Sequence, residues 1–125
     1  MDTKSFLKGF IIFSGYLEIA FGVMFIFFID ILLRPLGFTN LPLFYQMAGF
    51  FFILLGALLA YSAKDIERYL IIPITSIILR LGMPFFEVYN MLLFPQLILF
   101  LLPGAIYDVF SSILTLILLK KCDYI

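Results

Sequence analysis

Histidine is absent from the 125-residue chain, and cysteine occurs only once, at Cys122. A zinc site needs several Cys or His ligands, so we expect no metal site of this kind. The lack of histidine excludes a haem held by histidine and also excludes Ser-His-Asp and Cys-His catalytic pairs, because the base is missing. We therefore expect no resident cofactor, and enzymatic activity is the less favoured class.

Charged residues are also scarce, because they make up 13% of the chain while hydrophobic residues make up 65%. A soluble domain has about 25% charged and about 45–50% apolar residues, so this composition favours a lipid bilayer as the surroundings. The formal net charge is zero, and the basic residues form no dense patch. Nucleic acid is not expected as a partner, since phosphate binding requires clustered Lys and Arg.

Four long apolar stretches occupy the chain, from about residue 6 to 29, 43 to 63, 69 to 94 and 96 to 119. Each reaches the roughly 20 residues that an α-helix needs to cross the hydrocarbon of a membrane. Short connections make sequential helices antiparallel neighbours. We therefore predict an all-α fold with one domain over residues 1–125, a four-helix transmembrane bundle in up-down-up-down order.

The basic residues predict the orientation of this bundle in the cell membrane. One membrane face receives Lys4, Lys8, Lys64, Arg68, Lys120 and Lys121, and the other receives Arg34 alone. Cytoplasmic connections carry the excess of Lys and Arg, so both termini are predicted to be cytoplasmic.

Glycines recur at a spacing of seven on the first two predicted helices. Gly15 and Gly22 lie on the first, and Gly49 and Gly56 lie on the second. Small residues at this spacing share one helix face and let two backbones approach closely. We expect the two helices to pack on each other through these faces; contact with another subunit is the alternative.

Ionisable residues within the spans are the main functional signal. Glu18, Arg80 and Asp108 lie ten to twelve residues from the nearest predicted cytoplasmic charge. At 1.5 Å per residue they reach a depth of about 15–18 Å, near the bilayer midplane. We predict that Arg80 lies between the two carboxylates and donates to both. This cluster is either a working site or a structural ion network that fixes helix packing.

Further polar residues follow on the outer side of this cluster. Glu87 lies two helical turns beyond Arg80, and Asn90 and Gln46 are expected at a similar outer level. Together they would form a polar track from the midplane to the outer surface, although Glu87 alone could simply reach the interface. Pro84 should kink the third helix and free a backbone carbonyl.

A set of short features extends over most of the chain. It comprises Tyr16-Leu17-Glu18 with Gly22, a proline-containing first outer connection, Gln46-Met47-Ala48-Gly49 through Gly56, the charged connection from Lys64 to Arg68, and Arg80. In these features the chain resembles the DoxX-like group of small four-helix membrane proteins. Members of that group are associated with respiratory or redox complexes, so the resemblance implies an accessory membrane subunit.

Three functions remain open from the sequence. The first is a non-enzymatic accessory or assembly subunit that binds itself or another membrane protein. The second is a small proton-coupled transporter that acts as a homodimer. The third is an enzyme acting on a membrane quinone or lipid bound between the helices, with carboxylates as acid and base. The first is favoured because it requires least of the residues present.

Overall fold

The computed structural model describes residues 2–39 and 41–125 and contains no β-strand within them. The α-helices are α1 (Thr3–Phe27), α2 (Ile29–Leu33), α3 (Pro42–Ser62), α4 (Ile71–Leu93) and α5 (Ile98–Lys121). The connections contain two single 3-10 turns. Arg34–Leu36 lies between α2 and α3, and Pro95–Leu97 lies between α4 and α5.

The four helices α1, α3, α4 and α5 are long and apolar enough to cross a membrane. The predicted all-α class with four long apolar helices is therefore confirmed, and the chain is a multi-pass membrane protein. Each end of a predicted span differs from the end of the observed helix by one to three residues. Such differences arise because hydropathy does not show where the last helical hydrogen bond lies.

The first connection breaks the helical path as the sequence predicted. Helix α2 is five residues long, a 3-10 turn containing Pro35 follows it, and Gly37 then adopts a left-handed backbone with φ of 89°. Glycine populates this conformation without the steric penalty of a Cβ atom. Helix α3 then starts at Pro42, where the missing N–H would have no intrahelical partner in any case.

Helices α1 and α3 pack on each other through their glycines. A Cβ atom on Gly15 would lie 2.6 Å from the carbonyl oxygen of Gly56, and one on Gly22 would lie 2.5 Å from that of Gly49. Residue number rises along α1 as it falls along α3, so the two helices run antiparallel. The predicted contact between the glycine faces is confirmed, and both faces are buried against each other within the chain.

Helices α4 and α5 form the second closely packed pair, and fewer contacts join it to the pair α1–α3. The two chain termini lie together, because the Lys4 ammonium is 5.7 Å from the centre of the Tyr124 ring. Lys64 shares a surface concavity with Lys4, so the connection between α3 and α4 is at the same end. We call this end of the bundle the terminal end.

The hydrophobic core joins the two helix pairs near the terminal end. Its buried members are Leu7, Ile11, Leu59, Ala63, Ile66, Ile77, Leu118, Leu119 and Cys122. Buried polar side chains occur within this region, because Ser62 lies between Leu59 and Ala63, and they become more frequent one helical turn beyond Ile11 and Ile77, at Ser14 and Arg80. The interior is therefore mainly apolar at the terminal end and more polar toward the middle of the helices.

Candidate functional site

An ion pair between α4 and α1 lies at the centre of the bundle. Arg80 Nη2 is 3.1 Å from Glu18 Oε1, and Arg80 Nε donates a hydrogen bond of 3.3 Å to the same oxygen. The side chains are 6% and 16% exposed, respectively. Nη2 lies close to Glu18 Oε1 but forms no hydrogen bond with it, because its N–H bonds are not directed at the oxygen. Burial in lipid strengthens the attraction between the two charges.

Helix α5 completes the surroundings of Arg80. Arg80 Nη1 donates to Ser111 Oγ at 3.2 Å, and the guanidinium lies 5.6 Å from the centre of the Tyr107 ring. Tyr107 in turn donates to Ser14 Oγ at 3.4 Å, which links α5 to α1. The guanidinium on α4 thus contacts α1 through an ion pair and α5 through a hydrogen bond and an aromatic ring.

Asp108 does not take the place predicted for it beside Arg80. Across residues 2–39 and 41–125, the only carboxylate that forms an ion pair with Arg80 is that of Glu18. Ser111 occupies the second position instead, because it lies three residues, or about 4.5 Å along the helix axis, nearer to the terminal end than Asp108. Counting residues along the helices does not distinguish Asp108 from Ser111, because the two lie about one helical turn apart.

Asp108 faces Glu87 across the interface of α4 and α5. The two carboxyl groups are close enough to share a hydrogen bond. Glu87 Oε2 is buried without a hydrogen-bond donor among the described side chains, and it lies 3.7 Å from the position that a Cβ atom on Gly104 would take. The charge of Asp108 also acts on Arg80 and Glu18. The site therefore contains an ion pair and, adjoining it, the two carboxyl groups of Glu87 and Asp108, which we call the acid pair.

The remaining members of the predicted outer track lie apart from the acid pair. Asn90 Nδ2 donates to the carbonyl oxygen of Phe86 on its own helix at 2.8 Å. Gln46 is exposed on α3, and no side-chain hydrogen bond of Gln46 occurs in the described part of the chain. The structure thus brings Glu87 to Asp108 but leaves Asn90 and Gln46 on helix surfaces.

Four hydroxyl residues on the terminal side of Arg80 were not singled out by the sequence analysis. Ser14, Ser76, Ser112 and Thr115 line a small cavity together with Arg80. Ser112 and Thr115 donate to the backbone carbonyls of Asp108 and Ser111. Their signal was present in the sequence, because each lies three to seven residues from an intramembrane charge on the same helix. Hydroxyl groups in such positions commonly bond within or between membrane helices.

The third function left open by the sequence requires a lipid or quinone bound between helices. The structure has an apolar groove of about 610 Å³ on α4 and α5, lined by Pro84, Val88, Ala105, Ile106, Val109, Phe110, Ile113, Leu114 and Ile117. None of these side chains has a hydrogen-bonding group, so the groove can hold an acyl chain but cannot orient a polar head through side chains.

Comparisons with protein-family models, with curated proteins and with solved structures find no match to this chain. The resemblance to the DoxX-like group therefore stays a prediction. Any function must be inferred from the ion pair, the acid pair and the hydroxyl-lined cavity.

Proposed function

We propose that the protein is a non-enzymatic membrane subunit that binds a second membrane protein through the acid pair of Glu87 and Asp108. The observation that supports this proposal is an imbalance of charge within the spanning helices. Arg80 is the one basic side chain near the three acids, and it is already paired with Glu18. Two carboxyl groups are left without a basic partner in the described residues.

An isolated carboxylate in a membrane is unfavourable, by about 2.5–3.5 kcal/mol on scales from helix insertion. A Lys or Arg on a helix of a partner protein would offset this cost. The chemistry of the partner is therefore a basic residue near the middle of a membrane helix. The glycine faces are not available for this contact, because α1 and α3 use them on each other.

The place of the acid pair in the bundle also supports a partner. Glu87 and Asp108 lie at the interface of α4 and α5 and outside the hydrophobic core at the terminal end. Both residues are only partly buried. A helix from another protein can thus approach the pair without disturbing the core. In this proposal the bundle lies in the cell membrane with its terminal end in the cytoplasm.

Affinity purification in lipid nanodiscs, followed by native mass spectrometry, tests the proposal. The wild-type protein should be recovered with a second membrane protein at fixed stoichiometry, and the double variant Glu87→Gln, Asp108→Asn should lose it. Glu67→Gln is the matched control, because Glu67 is exposed in the connection between α3 and α4. Recovery of the wild-type protein alone, or of the same complex with the double variant, would contradict the proposal.

A second candidate, a proton-coupled carrier, is favoured by the same pair for a different reason. Two carboxyl groups that face each other repel when both are ionised, and one bound proton relieves this repulsion, which is the property that a proton carrier uses. Purified protein in liposomes should then dissipate a pH gradient, and Asp108→Asn should abolish this flux while the helical circular dichroism is unchanged. Liposomes that hold the gradient as well as protein-free ones would exclude this candidate.

A further inference from the structure

The cavity on the terminal side of Arg80 is a second polar site, separate from the acid pair. It lies among α1, α3, α4 and α5, and its volume is about 10 Å³. One water molecule requires a cavity of roughly this volume, together with two to four polar partners. Its polar lining consists of Arg80 and the hydroxyl residues Ser14, Ser76, Ser112 and Thr115.

Arg80, which lines this cavity, has one donor nitrogen that forms no hydrogen bond. Its Nε donates to Glu18 and its Nη1 donates to Ser111, while Nη2 is buried, lies 3.1 Å from Glu18 Oε1 and forms no hydrogen bond with the described residues. The side chain is 6% exposed, so bulk solvent does not satisfy Nη2. A buried donor on a charged group that finds no acceptor destabilises the folded state.

The hydroxyl groups of the cavity supply acceptors. Ser112 and Thr115 use their hydrogen atoms on backbone carbonyls of α5, so the lone pairs of both oxygens are free to accept. Ser14 accepts from Tyr107 and still has its own hydrogen atom to donate. The residues that line the cavity therefore include both donors and acceptors.

We infer that this cavity binds one water molecule, which accepts a hydrogen bond from Arg80 Nη2 and donates to hydroxyl oxygens on α5. A neutral ligand is favoured over a small anion, because Glu18 already neutralises the guanidinium and an added negative charge would be uncompensated in lipid. The water satisfies the last donor of Arg80 and ties the ion pair to α5. This inference is independent of the proposed function.

Proton-detected solid-state NMR in lipid bilayers tests the inference. The guanidinium protons of Arg80 should show a cross-peak to water, as the exposed ammonium of Lys64 does. Ser112→Thr keeps the hydroxyl and adds a methyl group to the cavity lining, so the Arg80 cross-peak should be lost. Thr115→Ser keeps an acceptor and enlarges the cavity, so the cross-peak should persist. The exposed substitution Thr75→Val is a control that should leave it unchanged.

Three results would overturn the inference. The first is a wild-type Arg80 with no water cross-peak while Lys64 shows one. The second is an Arg80 cross-peak that persists at full intensity in the folded Ser112→Thr variant. The third is a change in the Arg80 guanidinium shift when chloride is replaced by a larger anion, since that would identify a halide as the ligand.

Discussion

Arg80 is the residue on which the interior of the bundle depends most. Its guanidinium contacts Glu18 on α1 and Ser111 on α5, and its side chain is almost fully buried. Removing one member of a buried ion pair leaves the other charge without compensation, which is more costly than replacing both. An exposed ion pair lacks this cost, so the loss of stability on replacing Arg80 is compared with the loss on replacing one member of an exposed pair.

Arg80→Met should lower the free energy of unfolding by about 3–5 kcal/mol, because it leaves the Glu18 carboxylate unpaired in the bundle. The matched control is Arg34→Met, since Arg34 pairs with Asp30 at 2.6 Å on an exposed surface. The control should cost at most about 1 kcal/mol. Unfolding in mixed micelles of increasing SDS fraction measures both values, and equal losses would contradict the burial of the Arg80–Glu18 ion pair.

Ser111 is predicted to contribute through its bond to Arg80. Ser111→Ala removes the acceptor of Arg80 Nη1 and should destabilise the protein by about 1–3 kcal/mol, since a buried donor loses its partner. Thr75→Ala on the exposed face of α4 should change stability by less than about 0.5 kcal/mol. The same SDS titration compares them, and a neutral Ser111→Ala would show that Nη1 finds another acceptor.

The sequence identified Arg80 and Glu18 as partners but assigned the second contact to Asp108 in place of Ser111. Depth in the membrane follows from counting residues, with an error of about one turn. The direction of a side chain around the helix axis decides between residues one turn apart, and it depends on how the helices are rotated against each other. The same limit explains Gln46, which was expected on the outer polar track although its side chain is exposed.

At the scale of the helices, the closest packing is that of α1 on α3. The carbonyl of Gly56 and the backbone nitrogen of Ala60 lie 2.6 and 2.8 Å from the position of a Cβ atom on Gly15. Backbone atoms cannot rotate away as a flexible side chain can, so any substitution there must move a whole helix. The spacing of seven predicted this contact correctly, because residues seven apart return to nearly the same face of a helix.

Gly15→Ala should therefore destabilise the bundle by about 1–3 kcal/mol through overpacking. Gly9→Ala lies on the same helix with no atom within 4 Å of its new Cβ. This control should be neutral or stabilising by up to about 1 kcal/mol, because alanine has the higher helix propensity. Thermal unfolding followed by circular dichroism in detergent measures both, and a stable Gly15→Ala would contradict the close backbone contact.

At the scale of the whole molecule, two closely packed helix pairs are joined by an apolar core at one end and by polar contacts in the middle. The four spans were predictable because long apolar runs allow no other backbone arrangement in lipid. The contact of Asp108 with Glu87 in place of Arg80 was not predictable, because it depends on which face of α5 turns toward α4. The polar contacts thus determine how the two pairs are joined, while the apolar runs determine that they are helices.

The orientation in the membrane that the basic residues predict can be tested by chemical labelling. In a Cys122→Ser background, which removes the one native thiol, single cysteines replace Lys64 at the terminal end and Leu36 in the first connection, both of which are exposed. A maleimide that does not cross membranes should label Leu36→Cys on intact cells and should label Lys64→Cys only after permeabilisation. Lys4→Cys should behave as Lys64→Cys does, because Lys4 and Lys64 line one concavity. Labelling of Lys64→Cys on intact cells, without labelling of Leu36→Cys, would contradict the predicted orientation and would show that the terminal end is outside the cell.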